Sequence, residues 1–107
     1  MSEHVNEEEQ LAQQLAEELR RLRIEDVLIQ TLITISSIGY RRLGLTAETK
    51  DDRDLQQAKL GIDTMTALTP VLENVVPDEL VREFQQSVAS LQLAYAQAAG
   101  EGAHDEG

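Results

Sequence analysis

One stretch of this chain is apolar around more of a helix than a small domain can cover. Residues 27–38 read VLIQTLITISSI. At about 100° per residue, Val27, Leu28, Ile29, Leu32, Ile33, Ile35 and Ile38 sweep an arc of roughly 240°. Only Gln30, Thr34 and Ser37 form a continuous polar strip. The run is rich in β-branched residues, so a buried strand competes with a helix. The strip has helical spacing and nothing alternates with period two, which decides for the helix. A packed helix in a three-helix monomer needs an apolar stripe about 100° wide or a little more, and this one offers about twice that. Leaving three large aliphatics in water, at about 2 kcal/mol each, would weigh heavily on a domain worth roughly 5–15 kcal/mol in all. These seven residues are therefore the expected self-association surface. Val27 and Ile38 form one edge of the arc, and Ile29 and Ile33 the other.

Upstream, Leu11, Leu15, Leu19 and Leu22 recur at steps of four, four and three, a narrow helical stripe. Glu7, Glu8 and Glu9 precede it and favour a helix N-terminus through the macrodipole. The stripe and the apolar run read as one long helix over 8–43, closed by Gly44 as C-cap after the basic Arg41 and Arg42. A polar connection follows, with Thr49 or Asp51 as the cap of the next helix. There Leu55, Ala58, Ile62, Met65 and Thr69 make a heptad-like seam, with Leu60 and Leu68 beside it. Gly61 weakens that helix by roughly 1 kcal/mol relative to alanine. Pro70 should kink or restart it, making 71–76 a short separate turn. Pro77, Asp78 and Glu79 open a further helix carrying Leu80, Phe84, Val88, Leu91 and Tyr95, which should stop at Gly100. The fold class is all-α. A long N-terminal helix and two to three shorter ones form a small bundle, completed by self-association.

A length of 107 residues allows a single domain, expected over 9–99. The net charge of −11 is concentrated at the ends. Seven of the acids fall within 1–9 and 100–107, and without them the middle carries about −4. Neither end has periodic apolar residues, so an acidic leader over 1–8 and a Gly-rich tail over 100–107 are expected to be disordered. With no cysteine there are no disulfides, thiolate nucleophiles or Cys-ligated zinc, which suits a reducing cytoplasmic setting. Residues 2–10 are acidic and polar, unlike a secretory leader.

Signals for chemistry are few. His4 and His104 lie near the ends, without an i, i+4 partner of metal-binding type. Asp51, Asp52 and Asp54 are followed by neither a glycine bend nor a closing bidentate Glu, so they read as helix-start charge and not as a calcium loop. No phosphate-binding, nucleophile-elbow or zinc-protease motif occurs. Asp63, close to the apolar seam, is the one candidate base, with no nucleophile marked beside it. The expectation is a non-enzyme with no catalytic residue, metal or cofactor.

The arginines raise a nucleic-acid reading. Arg20, Arg21 and Arg23 precede the apolar run, and Arg41 and Arg42 follow it. On one continuous helix Arg23 and Arg41 would face the same way about 27 Å apart, a spacing able to clamp phosphates. Pairing with Glu17, Glu18 and Glu25 or service at a helix C-terminus is the preferred use, so nucleic acid is an unlikely partner. The few aromatics also argue against a base-stacking surface. Residues 27–40 are too few for the roughly 20 needed to span a membrane. Their Gln, Thr and Ser strip lacks the basic face of an interfacial helix.

Several strings resemble a small bacterial family catalogued as domain of unknown function 1844. They are VLIQTL at 27–32, the pair Leu43 and Gly44, DLQQAKLGID at 54–63, Leu68, and LQLAYA at 91–96. Together they cover about 24–96, and the chain looks most like the actinobacterial-type members. The resemblance implies a small helical, cytoplasmic protein and brings no catalytic or ligand residues. Some family members are encoded beside translation-initiation and ribosomal-protein genes. The leading reading is a self-associating interaction or accessory protein, with an unidentified protein partner as a further possibility. A translation-linked RNA- or ribosome-associated factor using the five arginines is the alternative. An enzyme with a carboxylate-only site comes last.

Overall fold

The computed structural model describes the backbone over 3–106 and side chains over 6–101. Four helices form in chain order: α1 (Glu3–Arg21), α2 (Ile24–Leu43), α3 (Leu55–Leu68) and α4 (Asp78–Glu106). Short 3-10 turns lie at Lys50–Asp52 and Thr69–Leu72, and no strand occurs among the described residues. The all-α expectation holds.

The single helix expected over 8–43 is two helices. Leu22 closes α1 with its N–H on the Glu18 carbonyl, and Arg23 is extended at φ −103°, ψ 148°. No glycine or proline marks this break. Charge does: Arg20 and Arg21 sit in the last turn of α1, while Glu25 and Asp26 sit in the first turn of α2. Each pair complements the dipole of its own helix end, so an end and a start back to back cost little.

The packed body is made by α2, α3 and α4, with the α2–α3 contact the most extensive. Leu32 and Leu43 of α2 meet Ala58, Ile62 and Met65 of α3. Val81, Phe84, Val88, Leu91 and Ala98 of α4 close the core. In the α3 seam, Ala58, Ile62, Met65 and Thr69 are buried as expected and Leu55 is half-buried. The Thr69 hydroxyl donates to the Met65 carbonyl at 2.7 Å, which satisfies it inside the core. The cap of α3 is Asp54, whose Oδ1 accepts from the Gln57 N–H at 3.2 Å. Thr49 and Asp51 belong instead to the 3-10 turn before it. Pro70 sits within the second 3-10 turn, which sends Leu72 inward and leaves Val71 and Val75 exposed.

Gly44 caps α2 in the left-handed region at φ 63°, with its N–H on the Arg41 carbonyl. A Cβ there would lie 2.6 Å from the Cβ of Arg53. Arg53 uses that closeness to finish the cap, its Nε donating to the Leu43 carbonyl at 2.8 Å. Its Nη2 reaches the Gly44 carbonyl at 3.2 Å and Glu101 at 3.1 Å. This last contact ties down the chain beyond Gly100, where α4 was expected to stop. A helical glycine costs about 1 kcal/mol, less than is needed to end a helix held on both sides. Within the described residues, 3–8 continue α1 and 100–106 continue α4.

Unlike the others, α1 makes no extended contact with another element. It projects from the body, and the molecule measures 67 × 38 × 19 Å along its principal axes.

Candidate interaction surface

The seven aliphatics of 27–38 divide by their place on α2. Leu32, at the centre of the arc, is fully buried in its own protomer's core. It is therefore unavailable to a partner, against the sequence expectation. Leu28, Ile29 and Ile35 are half-buried against that core. At the two edges Val27 remains 44%, Ile38 49% and Ile33 46% exposed. So α3 and α4 cover the middle of the arc and leave both margins in solvent.

The margins differ in what adjoins them. On one side Ile35, Ile38 and Gly39 of α2 and Gln57, Leu60, Gly61 and Thr64 of α3 line a shallow groove of about 200 Å³. The missing side chain of Gly61 lets the two helices approach there, since a Cβ would meet Ile35 Cγ2 at 3.3 Å. Leu60 is exposed, and so is Val27, on the same face of α2 about three turns before Ile38. On the other side Ile33 borders a recess shared with Ser36, Ser37, Leu80, Glu83, Phe84 and Ser87. A charged and hydroxylated lining suits burial against an apolar partner less well. From the sequence, Leu60 is expected beside the α3 seam. At about 100° per residue it lies nearly opposite the centre of that seam, a signal the helical wheel already contains.

A second exposed surface is α1. Leu11, Leu15, Leu19 and Leu22 are each more than half exposed, as is Ile24 just beyond them.

Three of the five arginines hold protein acceptors, the use preferred over a phosphate clamp. Arg41 Nη1 donates to Asp52 Oδ2 at 2.8 Å, and Arg42 Nη1 donates to the Asp52 carbonyl at 3.3 Å. Arg23 pairs with Glu25 at 2.8 Å. Arg20 and Arg21 lie across the helix break, in the last turn of α1. With the helix broken, Arg23 itself lies outside α2, and no continuous helical register links it to Arg41.

Asp63 is exposed and held by Lys59, whose Nζ lies 2.9 Å from its Oδ2. That hydrogen bond and then the carboxylate's charge raise the lysine above its ordinary range. No group of three or more metal-ligating side chains occurs among the described residues. The side chains of His4 and His104 lie outside the described residues. A recess of about 370 Å³ is bordered by Gly44, Leu45, Thr46, Ala47, Lys50, Arg53 and Glu101. Its Arg53 and Glu101 are engaged with each other. No described helix is long and apolar enough to cross a membrane. Comparison with family models, curated proteins and solved structures finds no match to the chain.

Proposed function

We propose that this protein is a non-catalytic helical interaction module that assembles with copies of itself through the exposed margin of α2. The observation carrying this reading is the row of Val27, Ile38 and Leu60, which stays in solvent after α3 and α4 have packed. Apolar side chains at the mouth of a groove gain most by meeting a second apolar surface. A cytoplasmic setting goes with this reading, suggested by the cysteine-free chain and the family resemblance over 24–96. Light scattering at about 10 μM should report a multiple of 11.9 kDa, with a mass that falls on dilution. A folded particle of 11.9 kDa at tenfold higher concentration would reject self-association.

Binding to RNA is expected to be weak. Arg23, Arg41 and Arg42 already hold protein acceptors, and the middle of the chain is net acidic. A labelled single-stranded RNA should bind no tighter than about 1 μM at physiological salt in an anisotropy titration. Tighter binding that Arg23→Glu with Arg41→Glu abolishes would move the function to RNA.

A further inference from the structure

We propose that Leu22 and Arg23 form a hinge with two positions: the break described above, and one continuous helix running from α1 into α2. The hinge belongs to the single chain and does not depend on self-association. Breaks in helices ordinarily carry glycine, proline or a capping side chain, and this one has none of them. Residues 19–26 read LRRLRIED, and leucine and arginine are among the better helix formers. Arg23 occupies the N-cap of α2, where Ser, Thr, Asp or Asn would offer an oxygen to the free N–H groups. A guanidinium has only donors, and Arg23 makes no capping hydrogen bond. Its Nε turns instead to Glu25 at 2.8 Å. Its charge also sits at the positive end of the α2 dipole, against the favourable effect of Glu25 and Asp26.

The continuous form has compensations of its own. The N–H groups of Arg23, Ile24 and Glu25 would take the carbonyls of Leu19, Arg20 and Arg21, and Arg21 would lie one turn from Glu25. Glu17 is one turn from Arg20 and Arg21, and Glu18 from Arg21, in both forms, so these acids favour neither. Packing does not decide either, because α1 makes no extended contact with another element. The two positions differ in the face they present. On a continuous helix Leu15 and Leu22 fall on the side of α2 that carries Ile29 and Ile33. The hinge therefore joins these aliphatics into one stripe over 15–33, or cuts the stripe at 22–23.

The chain has no cysteine, so spin labels at Ala12→Cys with Gln30→Cys read the hinge without background. Both positions are exposed, and on a continuous helix they share a face about 27 Å apart. Diluting labelled protein into excess unlabelled protein removes distances between copies. Double electron–electron resonance should then give two distances, that of the continuous helix and that of the break. Adding Ile24→Pro should leave only the second. Proline suits a first helical position, and Arg23 at φ −103°, ψ 148° already has the backbone that a residue before proline needs. In a continuous helix the ring would clash with the Arg20 carbonyl. Adding Arg23→Asp should lower the continuous population about fivefold relative to the broken one, by supplying the missing cap oxygen. A single distance in the labelled parent, whether that of Ile24→Pro or that of the continuous helix, would overturn the proposal. Two distances whose proportions Arg23→Asp leaves unchanged would overturn it as well.

Discussion

Glutamate at Leu32 is expected to unfold the protein, whereas glutamate at Ile38 should leave it folded and dissociate the assembly. The two residues lie on the same helix and differ only in what covers them. Leu32 is fully enclosed by its own protomer, and Ile38 is half exposed at the mouth of the α2–α3 groove. An unpaired carboxylate in a core costs several kcal/mol, a large part of the roughly 5–15 kcal/mol that holds such a domain together. At Ile38 the same group stays hydrated in the free protomer, and the penalty arises only when a partner arrives. Circular dichroism should therefore show a lost transition for Leu32→Glu and a melt within a few degrees of the dissociated wild type for Ile38→Glu. The mass of Ile38→Glu should fall to 11.9 kDa. Ile33→Glu, at the serine-lined margin, should keep both the melt and the mass. If Ile33→Glu dissociates the assembly and Ile38→Glu does not, the contact lies on the opposite edge of α2.

Alanine at Gly44 should destabilise the fold by about 2–4 kcal/mol, which at this size lowers the melting temperature by roughly 10–20 °C. The left-handed backbone at φ 63° accounts for part of this, since a Cβ costs about 1–2 kcal/mol there. The rest comes from a Cβ placed 2.6 Å from that of Arg53, an atom fixed near its backbone and unable to rotate away. Relief requires Arg53 to withdraw, and with it the hydrogen bonds to the Leu43 and Gly44 carbonyls. Gly100→Ala is the matched control. Nothing lies within 4 Å of its added Cβ, and this helical site should gain up to about 1 kcal/mol. Thermal melts of the two variants should move in opposite directions.

Elements whose signals are local were legible in the sequence. The Gly44 cap and the start of α4 after Pro77 follow from backbone chemistry, and the seam of Ala58, Ile62, Met65 and Thr69 follows from helical period. The break at Leu22 and Arg23 was missed because the apolar period runs through it almost undisturbed. Only the change from a basic helix end to an acidic helix start records it. Capping competition decided α3. Thr49, Asp51 and Asp54 all have capping chemistry, and the 3-10 turn at Lys50–Asp52 leaves Asp54 at the entrance. For the candidate surface, the width of the arc on α2 pointed to uncovered side chains. It did not say which ones, because covering Leu32 and baring Ile38 depends on where α3 and α4 cross α2. That is a tertiary fact with no local signature.

An arm without tertiary support has a further consequence, for dynamics. Helices shorter than about 12–15 residues are marginal alone in water, and the 19 residues of α1 exceed that limit only modestly. Its helicity then rests on local hydrogen bonds, with no core packing to hold it. In hydrogen exchange, the amides of α2, α3 and α4 should keep a slow rate on dilution, set by opening of the common core. Those of α1 should exchange faster at every concentration, because no core closes over them. One chain thus holds a body that opens as a unit and a helix that opens on its own.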